Sequence, residues 1–367
     1  MEDAKAMAQI ESFQVHHLSI PFERPLRTGN HTYATLENIL LEIRAEGLTG
    51  LGYAFNFAPY QAEAIRMMVL DLAKTLVGKN VQDLRQHWSD LWFRINFIGQ
   101  AGPPVMALAC IDTALWDLFA QEMKMPLYRL LGAVREEVEL YPTGGFLTDP
   151  IEKVIEEVLS SKQRGFTKCK IKVGRPDWNT DIQRVAQLRK AVGDGFGIMV
   201  DANQSWSVND AIAAGRQLQE LGVIWLEEPV SVHNVAGCAQ VAAALDMPVA
   251  AGESVFALPG HVSLIESRAC DNLMLNLMRC GGPTEFMQIA GVAASRHLPI
   301  SSHTFTEISI HLVAAIPGAT FAEYLPGWWD NLFEEPLQIE QGKVRLTTKP
   351  GLGLVFSQEL IKRYSSH

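Results

Sequence analysis

Residues 168–174 read KCKIKVG, with lysines at alternate positions and Cys169, Ile171 and Val173 between them. Successive side chains of a β-strand point to opposite faces, so Lys168, Lys170 and Lys172 share one face and the apolar residues the other. The run belongs to a series of seven short apolar segments: TKCKIKV, FGIMVDA, VIWLEEP, PVAAGES, NLMLNL, PISSH and ATFAEY. Amphipathic stretches lie between them. TDIQRVAQLRKAVG places Ile182, Val185, Leu188 and Val192 on one helical stripe. SVNDAIAAGRQLQELG opens with Ser207 as its cap and closes on Gly222, and GPTEFMQIAGVAASRHLP repeats the form. Such alternation predicts parallel strands with crossover helices. The polar residues that end successive strands recur every 20–29 residues, and so regular a unit predicts a (β/α) barrel rather than an open sheet.

Residues 10–130 have a different rhythm. FQVHHLSI, ENILLEIRA and LTGLGYAF read as strands, with EGLTG as a hairpin turn. Helices follow in YQAEAIRMMVLDLAKTLVG, stopped at Gly78, and in VMALACIDTALWDLFAQEM, ended by Pro126. Strands segregated from helices predict an α+β domain. The tail PLQIEQGKVRLTTKPGLGLVF predicts a hairpin that returns to this first domain. The expected division is an α+β cap over residues 1–132, a barrel over 133–330 and a closing segment over 331–367.

A formal net charge of −10 with no compensating basic stripe argues against nucleic acid and against an anionic membrane surface as partners. The opening MEDAKAMAQIES has no basic segment followed by an apolar one, and no apolar run is expected to reach the roughly 18 residues of a membrane span. Five cysteines without a CxxC pair predict a reducing, cytoplasmic setting rather than a disulfide framework.

Each apolar segment finishes on a polar residue: Lys172, Asp201, Glu227, Glu253, Asn276, His303 and Glu323. In parallel barrels the C-terminal strand ends carry the active site. Asp201, Glu227 and Glu253 fall on three neighbouring strands, where their charges repel unless a cation sits between them. An all-oxygen set selects a hard ion, Mg²⁺ or Mn²⁺. Lys170 and Lys172, about 7 Å apart along the strand, repel by roughly 2.4 kcal/mol at an effective dielectric near 20. That is nearly two pKa units, enough to bring a lysine toward usefulness as a base. Lys168, earlier in the strand, is expected at the lower rim. His303, opposite the lysine strand, is the histidine placed for acid/base work. No GxSxG turn surrounds Ser301 or Ser302, and the glycines of GDGFGIMVD precede a strand instead of following one, so nucleophilic-serine and dinucleotide sites are not indicated.

With these residues assembled, the chain resembles the enolase superfamily, and within it the mandelate racemase subgroup. The similarity covers nearly the whole length and rests on KIKVG, GIMVDANQS, WLEEP, AGES and SSHTFTEISIHL in combination. The resemblance implies an α+β capping domain over a modified (β/α)₇β barrel, and a C-terminal segment closing on the cap. It implies Asp201, Glu227 and Glu253 as ligands of Mg²⁺, and Lys172 as the group moving a proton on one face of the α-carbon of a small carboxylate substrate, with Lys170 holding that carboxylate. His303 would act on the other face, Glu323 would hydrogen-bond the enediolate oxygen, and Asn203 would contact substrate. A homo-oligomer is also expected on this resemblance.

One position departs from the pattern. The subgroup has an aspartate on the sixth barrel strand to orient the histidine, and this chain has Asn276. Loss of that charge lowers the proton affinity of His303, although an amide oxygen could still hold the ring N–H. Dehydration of an acid sugar, with Lys172 as base and His303 as acid, is therefore expected ahead of racemisation or epimerisation of a 2-hydroxy acid, which needs two competent bases. A non-catalytic metal-binding relative is a third reading, although it predicts loss of a ligand or of Lys172, and all are present. The segment PLRTGNHTYAT, with Arg27, Asn30, His31 and Tyr33, reads as a polar cap loop suited to a polyhydroxylated substrate. Trp328 and Trp329 read as another wall of the site or as an oligomer contact.

Overall fold

The computed structural model describes residues 8–365, so the first seven residues of the stretch read for a leader lie outside it. Three antiparallel strands, β1 (Ser12–Arg27), β2 (Thr32–Ala45) and β3 (Leu48–Asn56), form a sheet in that order. Glu46 and Gly47 link β2 to β3, both with positive φ (47° and 77°), the conformation whose twist suits a two-residue hairpin. β1 is longer than FQVHHLSI suggested. Its pairing with β2 breaks between Pro21 and Leu26 and resumes to Arg27, so PLRTGNHTYAT is the end of a hairpin and not a free loop.

Helices α1 (Pro59–Lys74), α2 (Leu84–Arg94) and α3 (Pro103–Glu122) complete the cap. β3 lies so close to α3 that a Cβ on Gly50 would meet Ala114 O at 2.1 Å, and one on Gly52 would meet Cys110 O at 2.0 Å. Both positions need glycine for backbone to approach backbone. Contrary to the sequence reading, α3 is long and apolar enough to cross a membrane, with a mean hydropathy of 1.3 over its most apolar window. That window is 83% buried inside the protein, the signature of a core helix.

The second body is a closed barrel of eight parallel strands: β4 (Glu137–Gly144), β5 (Lys168–Lys172), β6 (Gly197–Asp201), β7 (Val223–Glu227), β8 (Val249–Ala251), β9 (Asn272–Asn276), β10 (Ile300–His303) and β11 (Ala319–Tyr324). Neighbours pair in chain order and β11 closes on β4. One helix lies between each successive pair of strands, which is the (β/α)₇β arrangement. The helix over residues 178–192 begins earlier than TDIQRVAQLRKAVG implied, capped by Asp177, whereas Ser207 caps the next one as expected.

The lower barrel interior is filled by Tyr141, Met199, Trp225, Ala250 and Met274, with Phe321 against them. Lys168 sits beneath this layer, its ammonium 3.9 Å from the centre of the Phe321 ring and ion-paired with Glu139.

The tail forms the expected hairpin, β12 (Ile339–Glu340) and β13 (Lys343–Arg345), but β13 pairs antiparallel with β4 and so extends the barrel sheet. The return to the cap comes after it. Leu352 N donates to Asp117 Oδ1 on α3 at 2.7 Å, and Leu51 N on β3 donates to Asp117 Oδ2 at 2.8 Å. One buried carboxylate therefore ties strand, helix and tail together.

Candidate active site

Strand register assembles the site. Lys172 is the direct partner of Asp201, and Asp201 of Glu227, so three charged side chains leave the barrel wall at one height. Asn276 is the direct partner of His303 in the same way. Glu253 follows β8 by two residues, after Gly252 (φ 128°), where a Cβ would meet Met274 O at 2.7 Å. Glu323 comes from β11.

Asp201, Glu227 and Glu253 bring carboxylate oxygens within 4.8 Å of one another, and all three side chains are buried. Glu253 Oε2 is buried with no hydrogen-bond partner among the described residues, and His303 Nε2, 3.2 Å away, lacks hydrogen-bond geometry toward it. Three converging acids, one with an orphaned oxygen, are the donor set of a hard divalent cation. The residues fit Mg²⁺.

The lysines point inward as expected, but their charge state is a correction. Lys170 Nζ lies 2.5 Å from Glu227 Oε1 and 2.9 Å from Glu323 Oε1, and Lys172 Nζ pairs with Asp201 Oδ2. Burial acts to lower Lys170, yet Glu227 and Glu323 raise it well above its ordinary value. Burial also acts to lower Lys172, joined by repulsion from Lys170, but Asp201 leaves it raised. Opposite charges at contact distance outweigh one like charge farther off.

Glu323 accepts from Thr143 Oγ1 at 2.6 Å through Oε1, and from Thr304 N at 2.9 Å through Oε2. Burial alone would raise its pKa, but Lys170, His303 and Lys172 bring it down to about 2. Thr304 and Phe305 both take left-handed backbone (φ 53° and 49°), a costly pair of conformations for residues with side chains. The turn aims Thr304 N into the site directly after the His303 ring.

His303 is the point at which the structure reverses an expectation. Asn276 Oδ1 accepts from Arg279 N at 3.0 Å, and a backbone N–H can only donate. The amide oxygen is thereby occupied, and Asn276 Nδ2 faces His303 Nδ1 at 2.7 Å. The amide donates to the ring and does not hold its N–H. Nδ1 is then the acceptor, and the neutral ring carries its proton on Nε2, the nitrogen nearer Glu253 and Glu323. Burial lowers the proton affinity of His303 further, against the pull of the two acids.

Lys172, Glu253, Asn276, His303 and Glu323 form the floor of a cavity between barrel and cap. Asn203 lines it, with φ 44° and a buried Oδ1 that has no partner among the described residues. Asn203 O accepts from Asn30 Nδ2 at 2.7 Å, so the β1–β2 hairpin is latched to the barrel. Thr28 and Tyr33 line the cavity; Arg27 alternates with Thr28 and is exposed, and His31, stacked on the Tyr33 ring at a centroid separation of 5.9 Å, is exposed as well. Trp328 is a wall. Trp329 is not; it is buried behind, donating to Asn38 Oδ1 at 2.9 Å.

Sequence reasoning did not find Thr143, Arg279 or the aromatic roof of Phe55, Phe57 and Phe146. Thr143 was lost with β4, whose Pro142 and Gly144 disguise a strand. Arg279 had a signal that went unread, standing three residues past Asn276 in a tight turn at a strand end.

Comparison with known proteins follows this geometry. Residues 153–360 match the family described as enolase C-terminal domain-like, and residues 10–132 match the mandelate racemase / muconate lactonizing enzyme N-terminal domain. The L-talarate/galactarate dehydratase of Salmonella typhimurium is 35% identical over 323 residues, which is 88% of this chain and 81% of the relative. A structure of a mutant L-talarate/galactarate dehydratase liganded with Mg and L-glucarate superposes with a TM-score of 0.95 at 32% identity, covering 100% of this chain and 94% of the other. An enolase from Bradyrhizobium complexed with magnesium and mandelic acid gives a TM-score of 0.92 at 28% identity, covering 99% and 100%.

Proposed function

Because the chain belongs to the mandelate racemase subgroup of the enolase superfamily, we propose that it is a Mg²⁺-dependent dehydratase of an acid sugar. The observation that carries this reading is the hydrogen bond from Asn276 Nδ2 to His303 Nδ1, which leaves an N–H and not a lone pair facing the cavity. Such a ring can give a proton to a leaving hydroxyl but cannot take one from a second face of the α-carbon, as racemisation requires.

Asp201, Glu227 and Glu253 would hold the ion. When bound, Mg²⁺ supplies Lewis acidity at the substrate carboxylate, so that the negative charge arising on loss of the α-proton is stabilised. Lys170, paired with Glu323 and Glu227, contributes fixed positive charge beside the same carboxylate. Lys172 becomes a competent base when Asp201 spends its charge as a ligand. It then takes the α-proton, and the C–H electron pair enters the enediolate. Collapse of the enediolate breaks the Cβ–O bond, and the departing hydroxyl leaves as water with the proton of His303 Nε2. As the resulting enol becomes the 2-keto acid, its hydroxyl proton returns to the ring and Cβ takes the proton held by Lys172, so both side chains end as they began and no oxidant is needed. Glu323, fixed by Thr143 and Thr304, orients the carboxylate end.

The partner is a small carboxylate, and a homo-oligomer is the assembly we propose. The five cysteines are all unpaired and buried, which suits a reducing cytoplasm.

The test is incubation with Mg²⁺ and a panel of acid sugars in D₂O. Formation of 2-keto acid is the expected result. Exchange at the α-carbon without net product would instead make the enzyme a racemase, and no exchange with any acid would favour a non-catalytic role.

A further inference from the structure

We infer that Glu228, the second glutamate of WLEEP, is a positioning residue for the ion site: its carboxylate ties together the turns that carry the three converging acids and is not itself a ligand. The inference rests on the reading of Asp201, Glu227 and Glu253 as the Mg²⁺ site and extends it to residues outside that set.

Glu228 directly follows Glu227 and is only 1% exposed. Its φ of 35° is left-handed and turns the side chain away from its neighbour's path. Both oxygens are taken by donors of the protein. Oε1 accepts from Ser254 N at 3.1 Å, and Oε2 accepts from Ser254 Oγ and from Gln204 Nε2, each at 2.9 Å. A carboxylate satisfied in this way differs from Glu253, whose Oε2 is buried without a partner among the described residues.

The donors come from informative places. Ser254 is the residue after Glu253, and Gln204 stands three residues past Asp201. One buried carboxylate thus fastens the chain where it leaves β6, β7 and β8. Further bonds close the knot. Gln204 N donates to Glu228 O at 2.7 Å, and Gln204 Nε2 reaches Ser254 Oγ at 3.0 Å. From the turn after β9, Arg279 Nη1 donates to Glu253 O at 2.8 Å and to Ser254 Oγ at 3.0 Å. The Ser254 hydroxyl therefore accepts twice and gives its proton to Glu228, which uses its full capacity.

The acid-bearing turns need such a fastening. Asn203 and Gln204 after Asp201 have φ of 44° and 65°, and Glu228 shares this left-handed backbone. These conformations are costly for residues with side chains and persist where the surroundings over-determine them. Three acids that repel one another also have to be held converged before a cation can neutralise them.

The experiment measures Mg²⁺ binding by calorimetry and thermal melting in chelator for the full-length parent, Glu228→Gln, Gln204→Ala, Ser254→Ala, and the double variant of Glu228→Gln with Gln204→Ala. An amide at position 228 sets its NH₂ against Ser254 N or Gln204 Nε2, whichever way it is turned. The Kd for Mg²⁺ is expected to rise at least about tenfold in Glu228→Gln. Gln204→Ala and Ser254→Ala remove no charge, so their expected rise of at least about threefold reports position. Gln204→Ala should add less than its own effect when combined with Glu228→Gln, as members of one network do. Weaker binding in Glu228→Gln alone, with both uncharged variants like the parent, would reduce Glu228 to a nearby charge and overturn the inference. Parent-like affinity in every variant would overturn it too, as would losses of affinity that merely follow losses of folded structure in chelator. Should Glu228→Gln fail to fold, the two uncharged variants decide. A parent that binds no Mg²⁺ would overturn the ion-site reading, and the inference with it.

Discussion

Lys172 and Asp201 face each other as direct partners across the β5–β6 seam and form an ion pair within the buried floor of the site. The proposed base and a carboxylate of the proposed metal centre thus compete for one another. While Asp201 is free to pair, Lys172 stays protonated, and its pKa lies above the ordinary lysine value. The arrangement couples ion binding to base activation through a contact that strand register alone enforces.

Replacing Lys172 by alanine should therefore separate two properties. Turnover is expected to fall by about 10²–10⁴, the usual worth of a general base, while Mg²⁺ affinity measured by calorimetry should hold or improve. Lys168→Ala, which removes an ammonium paired with Glu139 over the Phe321 ring below the plug, should leave kcat within about tenfold of the parent. Equal losses in the two variants would show that the lysine face acts as one structural unit.

Mutual repulsion among Asp201, Glu227 and Glu253 should appear as stability regained on ion binding. Saturating Mg²⁺ at about a hundred times Kd corresponds to roughly 2.7 kcal/mol of added stability. Thermal melts with Mg²⁺ against chelator should differ by several degrees, and Glu227→Gln should shrink that difference. Superimposable melts would remove the three acids from consideration as a metal centre.

Asn276→Asp would give His303 Nδ1 a negatively charged acceptor in place of a donor. The ring should then present a lone pair on Nε2, and α-proton exchange with the epimeric substrate in D₂O should rise at least about tenfold. Nitrogen-15 shifts of His303 would report the tautomer directly. An unchanged Nε2–H signal in the variant would contradict the control assigned to the amide.

Glu307 offers a pH signature at the cap–barrel junction, away from the ion site. It is buried against Tyr53 on β3, and burial pushes its carboxyl up to about 7 from an ordinary 4.5. The folded chain thus holds a proton that the unfolded chain has released. That stabilisation is complete below about pH 4.5 and is lost as pH rises through about 7. Glu307→Gln should accordingly gain on the parent, by on the order of 1 kcal/mol, in denaturant titrations at pH 8 relative to pH 5.5. A pH-independent difference between the two proteins would argue against this linkage.

Much of this was legible in the sequence, for definable reasons. The barrel announced itself because buried parallel strands leave short apolar runs and because the residue that ends each run carries chemistry. Asp201, Glu227 and Glu253 could be singled out from that pattern, and the structure brings their carboxylates together. The cap hairpin misled because polarity was read without regard to which side chains its tip brings to the cavity; Arg27 and His31 advertise a polar pocket, yet Thr28 and Tyr33 are the residues that line it. The lysine charge state was misjudged because one neighbour on the same strand was counted and the carboxylates on β6, β7 and β11 were not. The orientation of the Asn276 amide was beyond reach, since it is set by the hydrogen bond from Arg279 N, and a turn at a strand end does not itself say which side-chain atom that N–H will meet.

The apolar layer of Tyr141, Met199, Trp225 and Met274 under Lys170 bears on the fate of isotopes. It offers hydrogen nuclei no escape route through the bottom of the molecule. A deuteron lifted from labelled acid leaves for bulk solvent on the cap side of that layer. Label retention in product should then track how seldom that upper passage opens during a single catalytic cycle.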